Sequence, residues 1–239
     1  MSAQLVTTPP HPDRDRLLAR LAAPLFTARP RARAVALGCA EVRAGLDLSP
    51  FGRPVDFADA AHASELVARY HAINLARFAG PVALPGWVLA DLYLMPAAIT
   101  LLLEDDAILA AYYAAPTVIP GEFVGVSLLA TVEGIGAATA AKAIGLGVLR
   151  ATVARGITQW TSRAVRVHAR FGDLRVEGPA PAVHGLAAQS FRYRTVLGAP
   201  TEALGERLSV EEAIARTSRG QAVVLRGDAP FASGDQGPT

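Results

Sequence analysis

Lysine and cysteine are almost absent from this sequence. Lys142 is the only lysine among 23 basic residues, and Cys39 is the only cysteine. A single cysteine cannot form an intramolecular disulfide, and it excludes a zinc site built on cysteine ligands. Residues 1–10 also lack the basic stretch and apolar core of a secretory signal. We therefore expect a reducing, cytoplasmic location.

An excess of charge of either sign is also missing. The chain has 23 basic and 21 acidic residues, which gives a formal net charge of +2. This balance creates no field that would attract nucleic acid, so we predict no nucleic-acid partner. Two apolar runs, residues 84–103 and 134–153, approach the length of a membrane span. Proline and aspartate interrupt the first run and Lys142 interrupts the second, so we predict no span.

The apolar residues, 51% of the chain, are enough to build a sizeable core. Helical spacing predicts helices over residues 13–26, 56–79, 137–155, 162–171 and 209–219. Apolar runs bounded by turn residues predict strands over 33–43, 87–93, 98–103, 107–114, 122–132, 157–160, 174–177 and 190–197. The sequence therefore predicts an α+β protein with a mixed, mostly antiparallel central sheet flanked by helices.

Local signals refine these boundaries. Glu104, Asp105 and Asp106 predict a hairpin turn, Gly156 predicts a helix C-cap, and Ser209 with Glu212 predicts a capping box. We expect residues 1–30 to form an N-terminal extension with a short helix and residues 31–200 to form the main domain. Residues 201–239 are then a C-terminal extension with a helix and a disordered tail.

The most informative segment runs from Gly134 to Thr139 with the sequence Gly-Ile-Gly-Ala-Ala-Thr, between a predicted strand and a predicted helix. Small residues let backbone N–H groups approach an anion, and a helix N-terminus adds partial positive charge. The segment lacks the Gly-Lys-Ser/Thr of a Walker loop, and Thr139 replaces the third glycine of a dinucleotide fingerprint. A Gly-x-Gly sequence also occurs wherever a strand turns tightly into a helix, so both interpretations stay open.

A second motif follows this loop. Thr161-x-x-Ala164-x-x-x-His168-x-x-x-Gly172 comes directly after the next predicted strand. Loop, helix, strand and second motif together resemble the GNAT superfamily of acyl-CoA N-acyltransferases. That family has Arg/Gln-x-x-Gly-x-Gly/Ala at the loop and Asn-x-x-Ala-x-x-x-Tyr-x-x-x-Gly-Phe at the second motif. The resemblance covers residues 33–197 in order of elements.

The sequence departs from the family pattern at several positions. Thr131 stands at the position of the loop's Arg or Gln, and Glu133 brings a negative charge beside the expected pyrophosphate. Thr161 replaces the asparagine, His168 the tyrosine, and Asp173 the phenylalanine.

The resemblance implies a coenzyme A thioester as co-substrate, a small-molecule amine as acceptor and no metal. The residues implied to bind coenzyme A are Val126, Leu128, Gly134, Ile135, Gly136, Ala137, Ala138, Thr139 and Lys142. His168 would protonate the leaving thiolate, as the family's tyrosine does, or serve as a packing residue. Glu122 and Ser127 are further candidate catalytic residues on the strand that should face the acyl group.

Other side chains give weaker signals. Trp87, Asp91, Tyr93 and Tyr112 are candidates for an apolar substrate pocket, and the aromatic members also suit a core. We expect Lys142 either to point into solvent or to reach back to the loop. His62 and His71 lie nine positions apart on one predicted helix and therefore on different faces, so we predict no metal site.

Two further functions remain open. A protein of the same fold could use an acyl carrier protein thioester, catalyse a lyase reaction or bind a small molecule without catalysis. Alternatively, apolar strand edges could pair with a second copy and make the chain an interaction protein that forms a homodimer.

Overall fold

The computed structural model describes residues 7–38, 49–78, 83–181, 189–198 and 209–225. Within these residues, one sheet contains nine strands, which are β1 (Arg33–Gly38), β2 (Val55–Phe57), β3 (Ala98–Glu104), β4 (Ala107–Pro116), β5 (Glu122–Ala130), β6 (Val153–Gln159), β7 (Leu174–Pro179), β8 (Ser190–Val196) and β9 (Val223–Leu225). The helices are α1 (Arg14–Ala28), α2 (Ala60–Arg77), α3 (Asp91–Leu94), α4 (Ala137–Val148), α5 (Ala164–His168) and α6 (Val210–Ser218).

The sheet is mixed but mostly antiparallel. Its strand order is β2-β1-β3-β4-β5-β6-β8-β7-β9, and only the β1–β2 and β5–β6 pairs are parallel. The predicted α+β class with a mostly antiparallel sheet flanked by helices is confirmed at this level. Helix α2 lies between β1 and β3 in the chain, α4 connects β5 to β6, and α5 precedes β7.

The central strands β3 and β4 are buried almost throughout because apolar layers cover both faces of the sheet. One layer contains Leu18 and Leu25 of α1 together with the apolar residues of α4. The opposite layer contains Leu66 and Tyr70 of α2. A third, smaller cluster packs α6 against β7, β8 and β9 around Phe191.

A register shift and a short ladder position the candidate site. Tyr113 of β4 pairs with Ser127 of β5, but the next residue, Ala114, pairs with Gly125. Val126 is therefore the extra residue of a β-bulge. On its other side, β5 pairs with β6 only from Glu122 to Val124. Beyond Val124 the two strands diverge.

Several local predictions are confirmed. The turn between β3 and β4 has positive φ at both Asp105 (46°) and Asp106 (68°), as expected for a type I′ hairpin. Ser209 and Glu212 form the reciprocal hydrogen bonds of a capping box at the start of α6. The predicted end of the second helix at residue 79 and the predicted disordered tail lie outside the described residues.

Three predictions about elements are wrong. Residues 86–94 form a 3-10 turn and helix α3, not a strand, because an apolar run alone does not distinguish the two. Helix α4 ends at Val148, seven residues early, and the chain turns through Arg150 at φ 52° before β6 begins. Gly156 is therefore no helix cap: it lies inside β6, where an added Cβ would meet the Tyr193 hydroxyl at 2.7 Å.

Gly145 allows α4 to pack directly on the sheet, which gives a test of this packing. An added Cβ there would meet Tyr112 Cδ1 at 2.8 Å and Thr100 Oγ1 at 3.0 Å. Replacing a helical glycine with alanine ordinarily stabilises a helix by about 1 kcal/mol. For Gly145→Ala we expect the opposite, a loss of about 1–3 kcal/mol in the free energy of unfolding, because the core is overpacked.

Urea unfolding of Gly145→Ala measures this effect. Ser64→Ala, at an exposed position of α2, is the control and should stay within about 0.5 kcal/mol of the wild type. A Gly145→Ala protein as stable as the wild type would show that α4 does not pack as closely as described.

Candidate functional site

A cleft of about 250 Å³ opens where β5 and β6 diverge. This volume is slightly below the range of about 300–1,000 Å³ that is typical of small-molecule sites in proteins. Residues of α2, β5, β6, α5 and β8 line it, together with neighbouring loop residues. The lining residues are Asn74, Phe78, Leu84, Val126, Ser127, Leu128, Ile157, Thr158, Gln159, Ser162, Ala164, His168 and Ser190.

The bulge in β5 forms one wall of this cleft. Val126, the extra residue, is 36% exposed, and Ser127 and Leu128 follow it along the wall. A bulge interrupts the regular ladder and leaves the extra residue unpaired, so backbone polar groups here are available to a ligand. The structure thus brings the predicted residues Val126, Ser127 and Leu128 into the cleft.

Asn74, which no motif in the sequence indicated, fixes this wall. Its Nδ2 donates to Ser127 Oγ at 2.9 Å, and its Oδ1 accepts from the Leu84 backbone N–H at 2.8 Å. Asn74 is buried, so these two bonds satisfy an amide that would be costly if left unpaired. The signal available in the sequence was a polar residue on the apolar stripe of α2, four positions after Tyr70.

The predicted anion loop is open to solvent. Gly134 and Gly136 have φ of +80° and +76°, and an added Cβ at either would meet no atom within 4 Å. Gly136 is the N-cap of α4, so Ala137, Ala138 and Thr139 form the first turn. Their N–H groups have no carbonyl partner one turn earlier in the helix. With half-buried Ile135 beside them, these residues form a surface loop with the geometry to accept an anion.

The negative charge of Glu133 is compensated by two arginines. Its Oε1 lies 2.9 Å from an Arg77 guanidinium nitrogen, and its Oε2 lies 2.5 Å from one of Arg163. Arg77 ends α2 and Arg163 precedes α5, so these ion pairs connect three segments that border the cleft. Glu133 is therefore not the isolated repulsive charge that its position in the sequence suggests.

His168, Lys142 and Tyr193 form a buried polar group behind the cleft. His168 Nδ1 lies 2.7 Å from Lys142 Nζ and 3.1 Å from the Tyr193 hydroxyl. The rings of His168 and Tyr193 stack at 4.8 Å between centroids. Lys142 is 0% exposed, so our prediction of a solvated or loop-directed lysine is wrong. The face of α4 that carries Lys142 turns toward the core.

Burial changes the acidity of these three groups. It lowers the pKa of the Lys142 amine from its ordinary 10.5 to about 7. Burial first, and then the charge of Lys142, lower the pKa of His168 well below its usual value. Burial also raises the pKa of Tyr193 well above 10, with a further contribution from Tyr112. His168 is therefore neutral at neutral pH.

Other predicted residues lie away from the cleft. Glu122 is 2% exposed at the start of β5 and is bonded to Arg155 at 3.1 Å and Arg194 at 3.3 Å, so it is part of an ion-pair network. Trp87 is 75% exposed on the 3-10 turn. Tyr112 is buried in the core beneath α4. The side chains of Asp91 and Tyr93 lie outside the described residues.

Comparison with known proteins does not identify the chain. No protein-family model matches it, and no curated protein is significantly similar. The described residues contain no group of three or more His, Cys, Asp or Glu side chains that could hold a metal ion. None of the helices described combines the length and apolar character that crossing a membrane requires.

The buried amine makes a prediction about stability and pH. The Lys142 pKa is about 7 in the folded chain and ordinarily 10.5, so between these values the unfolded state binds more protons. Stability contributed by this group must therefore rise with pH across that window. We expect the free energy of unfolding of the wild type to increase relative to Lys142→Met from pH 7 to 9.5, by up to about 1.4 kcal/mol per pH unit.

Urea titrations of both proteins at each pH measure this difference. The other ionisable groups are common to both chains, so their contributions largely cancel. Parallel stability curves for the two proteins across this range would mean that the folded chain does not lower the Lys142 pKa.

Proposed function

We propose that this protein is an acyltransferase that moves an acyl group from a coenzyme A thioester to the amine of a small molecule. The observation that carries the proposal is the cleft at the diverging strands. Its wall is the bulged segment Val126–Leu128, and the same strand leads into the exposed loop 134–136 at the start of α4. A thioester and a phosphate group could thus be held by successive segments of one chain.

The arrangement of elements supports this proposal. Strands β3, β4 and β5 form an antiparallel meander, α4 connects β5 to the parallel strand β6, and β7 and β8 form an antiparallel pair. This is the order of elements that the resemblance to GNAT acyltransferases implies. The fold alone does not fix the reaction, so the site residues must carry the chemical argument.

Each part of the donor has a suitable protein group. The N–H groups of Ala137 and Ala138 would bind the pyrophosphate, with the partial positive charge of the N-terminus of α4. Backbone groups around Val126 would orient the thioester in the cleft. Ser127, held by Asn74, would contact the acyl group or the acceptor amine.

His168 would act on the leaving group. We assign the proton of the neutral ring to Nε2, because Lys142 Nζ and the Tyr193 hydroxyl both approach Nδ1 and both can donate to it. His168 lines the cleft, and with Nδ1 engaged, Nε2 would be the ring nitrogen that donates there. The acceptor amine attacks the thioester carbonyl within a ternary complex, the C–S bond breaks, the thiolate takes the Nε2 proton, and the nitrogen of the new amide releases its extra proton to solvent. The imidazole must regain one proton as it donates one.

Substitution in the loop tests coenzyme A binding. We expect Gly136→Asp to weaken coenzyme A binding at least about 10-fold, because a carboxylate would face the pyrophosphate. Gly220→Asp is a matched control: Gly220 also has positive φ (+70°) and no atom within 4 Å of an added Cβ, but it follows α6. Calorimetric titration with coenzyme A measures both variants.

Three outcomes of this titration are informative. Loss of binding in Gly136→Asp alone supports the proposal, and equal affinity in both variants would move the cofactor elsewhere. A wild-type chain that binds a pantetheine thioester but not coenzyme A would favour an acyl carrier protein as the donor.

Substitution of His168 tests the chemistry. We expect His168→Ala to lower kcat about 10²- to 10⁴-fold with little change in thioester affinity, since proton transfer matters only in the transition state. His168→Tyr should restore part of the rate, because it recreates the acid of the family that this chain resembles. An unchanged turnover in His168→Ala would make His168 a packing residue.

A further inference from the structure

His168 is isolated as a proton-transfer group. Of the described residues that line the cleft, it is the only one with an imidazole, carboxyl or amine side chain. Glu122, the predicted carboxylate on the same strand as Ser127, is engaged with two arginines away from the cleft. A proton that leaves His168 must therefore be replaced from solvent through the cleft or from behind the ring.

Lys142 lies directly behind the ring. Its one hydrogen-bond partner among the described residues is His168 Nδ1, at 2.7 Å. The amine faces the rings of Phe171, Tyr193 and Tyr112, with centroids at 4.8, 5.5 and 5.9 Å. In the described part of the chain, no carboxylate lies within ion-pair distance of it. The faces of these aromatic rings stabilise an ammonium, but no described carboxylate holds the amine in its charged form.

The position of Lys142 excludes direct chemistry on a substrate. Its side chain is 0% exposed and does not line the cleft. It therefore cannot reach a bound carbonyl as a nucleophile or form a Schiff base with it. The polar path from its amine to the cleft is the imidazole of His168.

We propose that Lys142 and His168 form a two-residue proton relay, in which the buried amine supplies through Nδ1 the proton that His168 delivers from Nε2 into the cleft. The inference rests on the proposed function, since the leaving thiolate is the group that receives the proton. As an ammonium, Lys142 accepts no hydrogen bond and donates one to His168 Nδ1. It therefore acts only through His168, whose ring it positions.

The transfer balances in protons and charge. At the start Lys142 is an ammonium, His168 carries its proton on Nε2, and the departing sulfur is a thiolate. The thiolate takes the Nε2 proton as Nδ1 takes one proton from Nζ. At the end the thiol, the neutral imidazole protonated on Nδ1 and the neutral amine remain. The pair of opposite charges is removed in one step.

The surroundings suit such a transfer. The titratable groups that face the amine are His168 from α5, Tyr112 from β4 and Tyr193 from β8. Burial keeps the pKa of both phenols above 10, so they remain neutral. Arg14 of α1 is at the far end of α4, bonded to the Leu146 and Ala151 carbonyls. The Lys142 pKa of about 7 allows the amine both to hold and to release a proton at neutral pH.

The single lysine makes the relay directly measurable. In protein labelled with [13C]lysine, the Cε resonance reports the charge of Lys142 without overlap, because the chain has no other lysine. We expect this resonance to titrate near pH 7 in the wild type and to shift its midpoint in His168→Gln. A resonance that stays that of an ammonium up to pH 10 would overturn the proposal.

Turnover against pH tests the direction of transfer. Since the ammonium is the donor, kcat of the wild type should fall as pH rises through the Lys142 midpoint measured by NMR. In Lys142→Met we expect kcat to be about 10- to 100-fold lower than in the wild type at pH values below that midpoint. The fall of kcat with rising pH should be absent from this variant. Circular dichroism confirms that the variant is folded.

Tyr193→Phe is the matched control, because it removes the other Nδ1 partner and keeps the amine. We expect Tyr193→Phe to keep the fall of kcat with rising pH. If Tyr193→Phe and Lys142→Met lower kcat equally, and kcat still falls with rising pH in both variants, Lys142 only holds the imidazole ring and the relay is overturned. If the protein accepts no thioester but the Lys142 resonance still titrates with a midpoint that depends on His168, the proposed acyl transfer is contradicted and the coupling between Lys142 and His168 is not.

Discussion

The two halves of the sheet are joined by a short parallel ladder, and the rest of the architecture depends on it. Three residue pairs connect β5 to β6, starting with Glu122 and Val153. At the same place the buried Glu122 carboxylate bonds Arg155 of β6 and Arg194 of β8. Separating the buried Glu122 from these arginines would leave an uncompensated buried charge, so the ion pairs favour close approach of the strands. Here they hold two half-sheets together at one end and let them diverge at the other.

The cleft follows from this constraint. Once pairing stops at Val124, the facing edges of β5 and β6 expose backbone groups that need partners. The bulge at Val126 leaves part of the β5 backbone available to a ligand, and Asn74 fixes the Ser127 side chain beside it. The same separation makes room for α5, whose His168 lines the cleft. Glu133, joined to Arg77 and Arg163, ties the borders of the opening together.

The buried lysine is costly in a core that is otherwise apolar. Helix α4 is composed of small and aliphatic residues, and a methionine in place of Lys142 would fill similar space without the desolvation of an ammonium. Residues that reduce stability in this way are typical of functional sites. The geometry gives this one a specific use, since its amine contacts the inner nitrogen of the imidazole that lines the cleft.

The sequence by itself determined most of the secondary structure. Periodicity and turn chemistry identified α1, α2, the acidic hairpin turn, the central strands and the capped C-terminal helix, because each signal acts within a few residues. It also identified the loop 134–139 and its place before a helix. It failed at residues 86–94, where apolar character suits a buried helix as well as a strand.

Only the tertiary structure decided which polar groups meet. A helix that is apolar on every face has no polar side, so its sequence could not show that Lys142 points inward, and periodicity could not place His168 beside it. Glu122 looked like a strand residue facing the acyl group, yet partners 33 and 72 positions away occupy its carboxylate. Contacts between residues so distant in the chain depend on how the two half-sheets are joined. Local sequence patterns extend over only a few residues and cannot predict that arrangement.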